Sequence, residues 1–263
     1  MVFIFDMNST KTIQHIVKWL KDYAVNAGVK GFVIGISGGI DSALTSALAA
    51  KTGLPLLVVE MPIHQDSRHV KRARNHINWL TEKYSNVSSE EVKLTSTFDS
   101  LVSDFPKVEN EEERWLALAN TRARLRMTTL YYFAGLNNQL VLGTGNKVED
   151  FGIGFFTKYG DGGVDLSPIG DLLKSDVYKF SEELNINKEI LEAAPSDGLW
   201  GDERSDEEQI GATYPELEWA MNYNSSKNEN LSERERVVLN IYSRLNRINQ
   251  HKMTDIPVCK IER

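Results

Sequence analysis

Apolar residues recur at helical spacing near the start of the chain. Ile13, Ile16, Val17, Leu20 and Ala24 fall on one stripe, which predicts a helix from Ser9 to about Ala27 that is capped by Ser9 or Thr10 and ended by Gly28. The pattern then changes. Gly31 to Ile36 is a short continuous apolar run, the signature of a strand buried on both faces. Ser37-Gly38-Gly39 turns the chain into a helix with Ala43, Leu44, Ala47 and Leu48 on one side. Leu54 to Glu60 reads as a second strand, Asp66–Lys83 as a basic helix and Val92-Lys93-Leu94 as a short strand. A long helix is predicted over about Glu111–Leu136, acidic at its start and basic later, as its macrodipole favours. Gln139 to Gly143 forms another strand. The last third is predicted helical near Lys174–Leu184, Asp206–Gly211, Tyr214–Asn222 and Ser232–Gln250.

Strands alternating with helices imply parallel βαβ units with right-handed crossovers. The expected fold is α/β: a doubly wound parallel sheet flanked by helices, with a helical C-terminal part. Ligands of such a fold sit beyond the carboxyl ends of the strands. No repeat, low-complexity tract or linker divides residues 1–263, so one domain is expected.

Composition narrows the function classes. With 41% hydrophobic and 25% charged residues the chain is an ordinary folding sequence and not a disordered one. No apolar run approaches the roughly 20 residues of a membrane span. The start lacks a basic region and a cleavage pattern, so no signal peptide is read. The lone cysteine, Cys259, excludes an internal disulfide framework and a cysteine-based zinc cluster, and cytoplasmic localisation is expected. A net charge of −7 argues against nucleic acid as a partner. That charge is local: residues 189–218 hold ten Asp or Glu and one base, Arg204, which leaves the rest of the chain at +2. Glycine is uneven too, with eight of 18 between Gly143 and Gly170.

Ser37-Gly38-Gly39-Ile40-Asp41-Ser42 lies between a buried strand and a helix N-terminus, where phosphates are commonly held. Its two glycines let successive N–H groups converge on an anion, and Ser37 and Ser42 add hydroxyls. No Gly-Lys-Ser/Thr follows, so it is not a Walker A loop, and the dinucleotide fingerprint lacks its third glycine. Asp41 is the odd member. It would repel phosphate unless Mg²⁺ lay between them; the plainer alternative is a carboxylate that only favours the positive helix end.

The SGGxDS loop resembles the pyrophosphate loop of the N-type ATP pyrophosphatases, which transfer AMP to a substrate oxygen. A second constellation resembles the ammonia-dependent NAD synthetase family. It comprises Asn120-Thr121-Arg122-Ala123-Arg124-Leu125-Arg126-Met127 and the segment GTGNKVEDFGIGFFTKYGDGGVDLSPIGDLLKSD over residues 143–176. The resemblance covers roughly residues 10–215. It implies an adenine-nucleotide-hydrolase-like fold, a homodimer, ATP as co-substrate and Mg²⁺ as cofactor. The implied reaction is amidation of deamido-NAD to NAD through an acyl adenylate, releasing AMP and pyrophosphate.

By that resemblance Gly35, Ser37, Gly38, Gly39, Asp41, Ser42, Thr144, Lys174 and Ser196 bind ATP, and Asp41 and Glu149 hold the metal. Asp41, Asp161 and Lys174 carry catalysis, with Asp161 accepting a proton from ammonium. Tyr23, Asn120, Arg124, Lys158, Asp161, His251 and Lys252 contact deamido-NAD. Taken singly, Glu149 and Lys174 have plain alternatives as solvated surface charges, and Asp161 as a turn former. On a helix Arg122 and Arg126 share a face that Arg124 does not, so the three cannot meet one ligand. The chain departs from the family pattern at Val148, where Ser is usual, and at Glu60 and Met253. One residue is also inserted between Glu149 and Gly154. A related enzyme amidates nicotinate mononucleotide, which stands as an alternative substrate. A nucleotide-binding regulatory module that has lost catalysis is the alternative of another class. The synthetase domain accounts for the length, leaving no room for a glutaminase domain, so free ammonia is the expected nitrogen source. The acidic segment 196–209 is expected to close over ATP and to be mobile when the site is empty.

Overall fold

The β-branched and aliphatic runs of the sequence form the centre of the molecule. In the computed structural model, which describes residues 8–194, 205–224 and 230–261, they build a four-stranded sheet. Its strands are β1 (Gly31–Gly35), β2 (Leu56–Glu60), β3 (Val87–Glu91) and β4 (Gln139–Val141), in the order β3-β2-β1-β4. Every pairing is parallel, with Phe32 opposite Leu56 and also opposite Leu140.

Because side chains alternate across a strand, each strand supplies two cores. Phe32, Ile34, Leu56 and Val58 face α1 (Ser9–Ala27), α2 (Ile40–Ala50), α3 (Ser67–Lys83) and α6 (Lys174–Glu183). Val33, Leu57, Val59 and Val141 face α4 (Thr95–Ser103) and α5 (Glu111–Asn137). Helices thus cover both faces, the doubly wound arrangement expected. A third core joins Val148 and Ile153 to α8 (Asp206–Ile210), α9 (Tyr214–Asn222) and α10 (Glu233–Met253), the helical C-terminal part. The helix α4 and the short α7 (Lys188–Leu191) were not anticipated.

Two local expectations are corrected. The cap of α1 is Asn8, whose side chain accepts from the Lys11 amide, not Ser9 or Thr10. The third strand is Val87–Glu91 and not residues 92–94. Its sequence, Val-Ser-Ser-Glu-Glu, has four exposed residues, so an edge strand leaves no apolar signature. The inserted residue after Glu149 is absorbed by a π-helix, Lys147–Ile153, ended by Gly154 at φ 64°. One residue added to a helical turn widens it to the i→i+5 pattern, a feature common at functional sites.

β1 is the switch point of the sheet. The chain leaves it toward β2 on one side, while β4 returns on the other, so the loops after β1 and β4 diverge and open a crevice between them.

Candidate active site

The crevice is a cavity of about 620 Å³, within the range of small-molecule sites. Its floor is the loop after β1. Ser42 Oγ donates to the Gly39 carbonyl (3.0 Å) and lies 3.0 Å from Ser37 Oγ, which accepts from the Gly39 amide (3.2 Å). Gly38 has φ 83°, and a Cβ there would lie 2.7 Å from the His69 carbonyl oxygen. Only glycine fits, because α3 passes directly behind the turn. The loop feeds the first turn of α2, whose amides are unpaired as at every helix start and lie in the cavity lining. An anion is favoured here.

Above the loop one ammonium joins two carboxylates. Lys174 Nζ, at the start of α6, donates to Asp41 Oδ2 (2.6 Å) and to Glu149 Oε1 (3.0 Å). Its side chain is 3% exposed, so its charge exists only because the two anions are there. Burial opposes that charge, but Asp41 and Glu149 outweigh burial and raise the lysine pKa. Burial also raises the Asp41 carboxyl, against the lowering pull of Lys174.

Neighbours that the sequence motifs did not single out hold the pair in place. Asn146 caps the π-helix, accepting from the amides of Val148 and Glu149, and its own amide donates to Asp41 Oδ1 (3.0 Å). The Tyr214 hydroxyl donates to Glu149 Oε1 (2.5 Å). Burial, then Glu149 and Asp206, push that hydroxyl far above its ordinary pKa, so it remains a donor. Asp150, next to Glu149, also lines the cavity; burial drives its carboxyl well above the usual range, reinforced by Glu149, Asp161 and Asp41. Asp206 and Arg126 complete the lining on the C-terminal and β2 sides. The sequence reading gave no role to Asn146, Tyr214 or Asp150, although the first and last lie within the segment that carried the resemblance.

Asp161 stands on the far wall, open to the cavity, and accepts from the Thr157 amide (3.0 Å). Protein around it raises its carboxyl pKa, and the Thr157 hydrogen bonds lower it. The Thr157 hydroxyl in turn donates to Asn120 Oδ1 (2.5 Å). Lys252 donates to the carbonyls of Gly154 and Phe156 (2.9 Å each), which ties the end of α10 to this wall.

The cavity therefore gathers Gly35, Ser37, Gly38, Gly39, Asp41, Ser42, Asn120, Thr144, Glu149, Asp161, Lys174 and Lys252. Four expected contacts are outside its lining. Tyr23 is exposed on α1, its ring tilted at 52° to that of Trp19. Arg124 points outward from α5 and donates to the Lys158 carbonyl (3.4 Å), whereas Arg126 reaches the Met61 carbonyl (3.0 Å) inside. Lys158 donates to the His251 carbonyl, and His251 itself is exposed. Ser196, with most of the 196–209 segment, is outside the described residues. Of the departures, Val148 is fully buried in the C-terminal core, Glu60 pairs with Arg74 (3.0 Å), and Met253 ends α10.

A family model described as NAD synthase matches residues 12–255. The chain is 40% identical over 214 residues to an NH(3)-dependent NAD(+) synthetase of Carboxydothermus hydrogenoformans, covering 81% of this chain and 85% of the relative. A protein of the same description from Alkaliphilus oremlandii is 36% identical, over 97% of this chain and 98% of its own length. Among solved structures, that of NMN synthetase from Francisella tularensis superposes with a TM-score of 0.84 at 31% identity, over 97% of this chain and all of the other. With a matched model over most of its length, and with relatives of this identity and coverage, the chain belongs to the NAD synthase family.

Proposed function

We propose that this protein is an ammonia-dependent ligase that amidates the nicotinate carboxylate of deamido-NAD with ATP. The observation that carries this reading is the Lys174 ammonium shared by Asp41 and Glu149 above a glycine-rich loop at a helix start. That arrangement suits a polyphosphate and its counter-cation, and the ammonia-dependent relatives supply the nitrogen source.

A carboxylate is a poor electrophile. In this reading its oxygen attacks the α-phosphorus of ATP, the bond to the β-phosphate bridge oxygen breaks, and pyrophosphate leaves. Ammonium then gives a proton to Asp161, and the freed lone pair attacks the acyl carbon. The acyl–oxygen bond breaks with its electrons on AMP, the attacking nitrogen gives its second proton to solvent, and the neutral amide remains. The protein's part is to align two anions and offset their charge, through Lys174, the Ser37–Ser42 loop and the α2 amides.

Asp41 and Glu149 suit Mg²⁺, since both already converge on one cationic centre with hard oxygen donors. When bound, the ion supplies further charge neutralisation on the polyphosphate. A homodimer is the assembly we infer. α5 exposes Trp115, Leu116, Tyr132 and Leu136, and α1 exposes Trp19 and Tyr23, apolar area that a second copy would cover. Among the described residues no helix is long and apolar enough to cross a membrane, in keeping with a cytoplasmic enzyme.

A second reading has its own support: the likeness to the Francisella enzyme favours nicotinate mononucleotide as the substrate amidated. The test runs both. The protein is incubated with ATP, Mg²⁺, ammonium and either deamido-NAD or nicotinate mononucleotide, and AMP, pyrophosphate and the amide are measured. Substrate-dependent AMP release with deamido-NAD supports the first reading and a preference for the mononucleotide the second. ATP binding without AMP release in either arm points to a regulatory module instead.

A further inference from the structure

Glu60 is the last residue of β2 and lines the cavity on its β2 side, whereas Glu149 and Asp161 stand on segments that follow β4. The Ile36 amide donates to the Val59 carbonyl (3.0 Å), so Glu60 sits beside the start of the Ser37–Ser42 loop, about 4.8 Å away at the spacing of neighbouring strands. Its side chain is held from one side. Arg74 of α3 donates through Nε to Glu60 Oε2 (3.0 Å) and through a terminal nitrogen to Oε1 of Glu91 (2.7 Å), the residue paired with Glu60 across β2 and β3. Arg74 is outside the cavity lining, which leaves Glu60 Oε1 for the cavity. That oxygen is buried and has no hydrogen-bond partner among the described residues, in a residue only 5% exposed. Buried acceptors are paired in folded proteins, and an unpaired one at a ligand cavity marks where the ligand brings a donor.

We propose that Glu60 is a specificity-determining residue that reads the nucleoside of ATP, its Oε1 accepting a hydrogen bond from an N–H or O–H of that nucleoside. This rests on the ATP-dependent amidation reading given above. With the phosphates on Ser37–Ser42 and the acyl substrate near Asp161, the β2 side is left to the nucleoside. The lining on that side includes the apolar Met61, Val70, Ala73 and Leu130, a surface for a flat base or a sugar ring and not for a phosphate. The charge of Glu60 is already met by Arg74, so the missing partner is a neutral donor and not a metal ion or a second cation. Two groups of the nucleoside have that chemistry, the exocyclic amino group of adenine and a ribose hydroxyl.

The test is calorimetric binding in Mg²⁺ without acyl substrate, so that nothing turns over. The ligands are ATP, purine riboside triphosphate, which lacks the amino group, and 2′-deoxy-ATP and 3′-deoxy-ATP, which each lack one hydroxyl. The parent is expected to bind at least one analogue about tenfold more weakly than ATP, the size of one hydrogen bond to a charged acceptor, and that analogue names the donor. Glu60→Leu cannot accept a hydrogen bond and should bring the same analogue to within about twofold of ATP. Glu60→Gln is the second variant should the first fold poorly. Arg74 can only donate, so the amide oxygen turns to it and the amide nitrogen to the cavity, and the discrimination is lost again. A merely structural role would weaken ATP and analogue alike and keep their ratio, which overturns the assignment. So does a parent that binds all four nucleotides equally. If the parent binds no ATP at all, the amidation reading fails first and this inference falls with it.

Discussion

The Tyr214 hydroxyl donates a 2.5 Å hydrogen bond to Glu149 Oε1, the same oxygen that accepts from Lys174. One carboxylate oxygen is thereby held twice, which fixes the carboxylate in the cavity lining. Such outer partners set the geometry of a ligand, and losing one commonly costs about 10- to 100-fold in metal affinity or activity. Tyr214→Phe is expected to lower kcat/KM by about tenfold and to raise the Mg²⁺ concentration needed for half-maximal rate. The ring still fills its place in the C-terminal core, so thermal unfolding should change little. An Mg²⁺ titration of the rate, beside a melting curve, checks both statements.

Removing Lys174 should separate stability from chemistry. Lys174→Met leaves the half-buried Asp41 and Glu149 without their shared cation, and breaking an ion pair whose lysine is buried costs up to about 3–5 kcal/mol. We expect that loss in denaturant unfolding without divalent metal, and partial recovery when Mg²⁺ is added, because the ion can replace the ammonium between the two anions. Turnover should remain lost in either condition. Asp41→Ala is expected to abolish turnover with the fold intact; near-normal kcat in that variant would contradict the metal assignment.

His76 should make stability fall in mild acid. It is buried, stacked on Trp79, with Nε2 2.9 Å from Ser46 Oγ and Nδ1 without a partner. Burial holds its pKa down at about 4, against an ordinary 6.5. The unfolded chain therefore takes up a proton below pH 6.5 that the folded one refuses until about pH 4. Folding is penalised progressively across that window and no further below it. His76→Leu removes the penalty. The stability difference between parent and variant should move by about 2 kcal/mol in favour of the variant between about pH 7.5 and about pH 5. Urea unfolding of both proteins at the two pH values measures it.

Gly38 is the residue on which the phosphate loop turns. Gly38→Ala meets two obstacles, a left-handed φ of 83° and a Cβ 2.7 Å from the His69 carbonyl oxygen. We expect a destabilisation of about 2 kcal/mol and at least tenfold weaker ATP binding, as α3 is pushed off the loop. Calorimetric ATP titration and denaturant unfolding read the two effects.

Much of this protein is determined by its sequence. The apolar runs of β1 and β2 and the stripe of α1 are local patterns with one dominant solution, since a short continuous run bounded by turns, or a 3.6-residue period, can bury its apolar residues in only one way. The loop from Ser37 to Ser42 is equally local: adjacent glycines, two hydroxyls and a helix start act within a few residues of each other. Other features exist only once the chain is folded. β3 has no apolar period, because its partner β2 and not its side chains makes it a strand. Asn146 and Tyr214 acquire their roles from groups 105 and 65 residues away, and sequence spacing carries no information about such distances. The inserted residue at the Glu149 turn was visible as one extra letter. Only the tertiary structure, by widening that turn into a π-helix against Gly145, made it a second carboxylate facing the cavity.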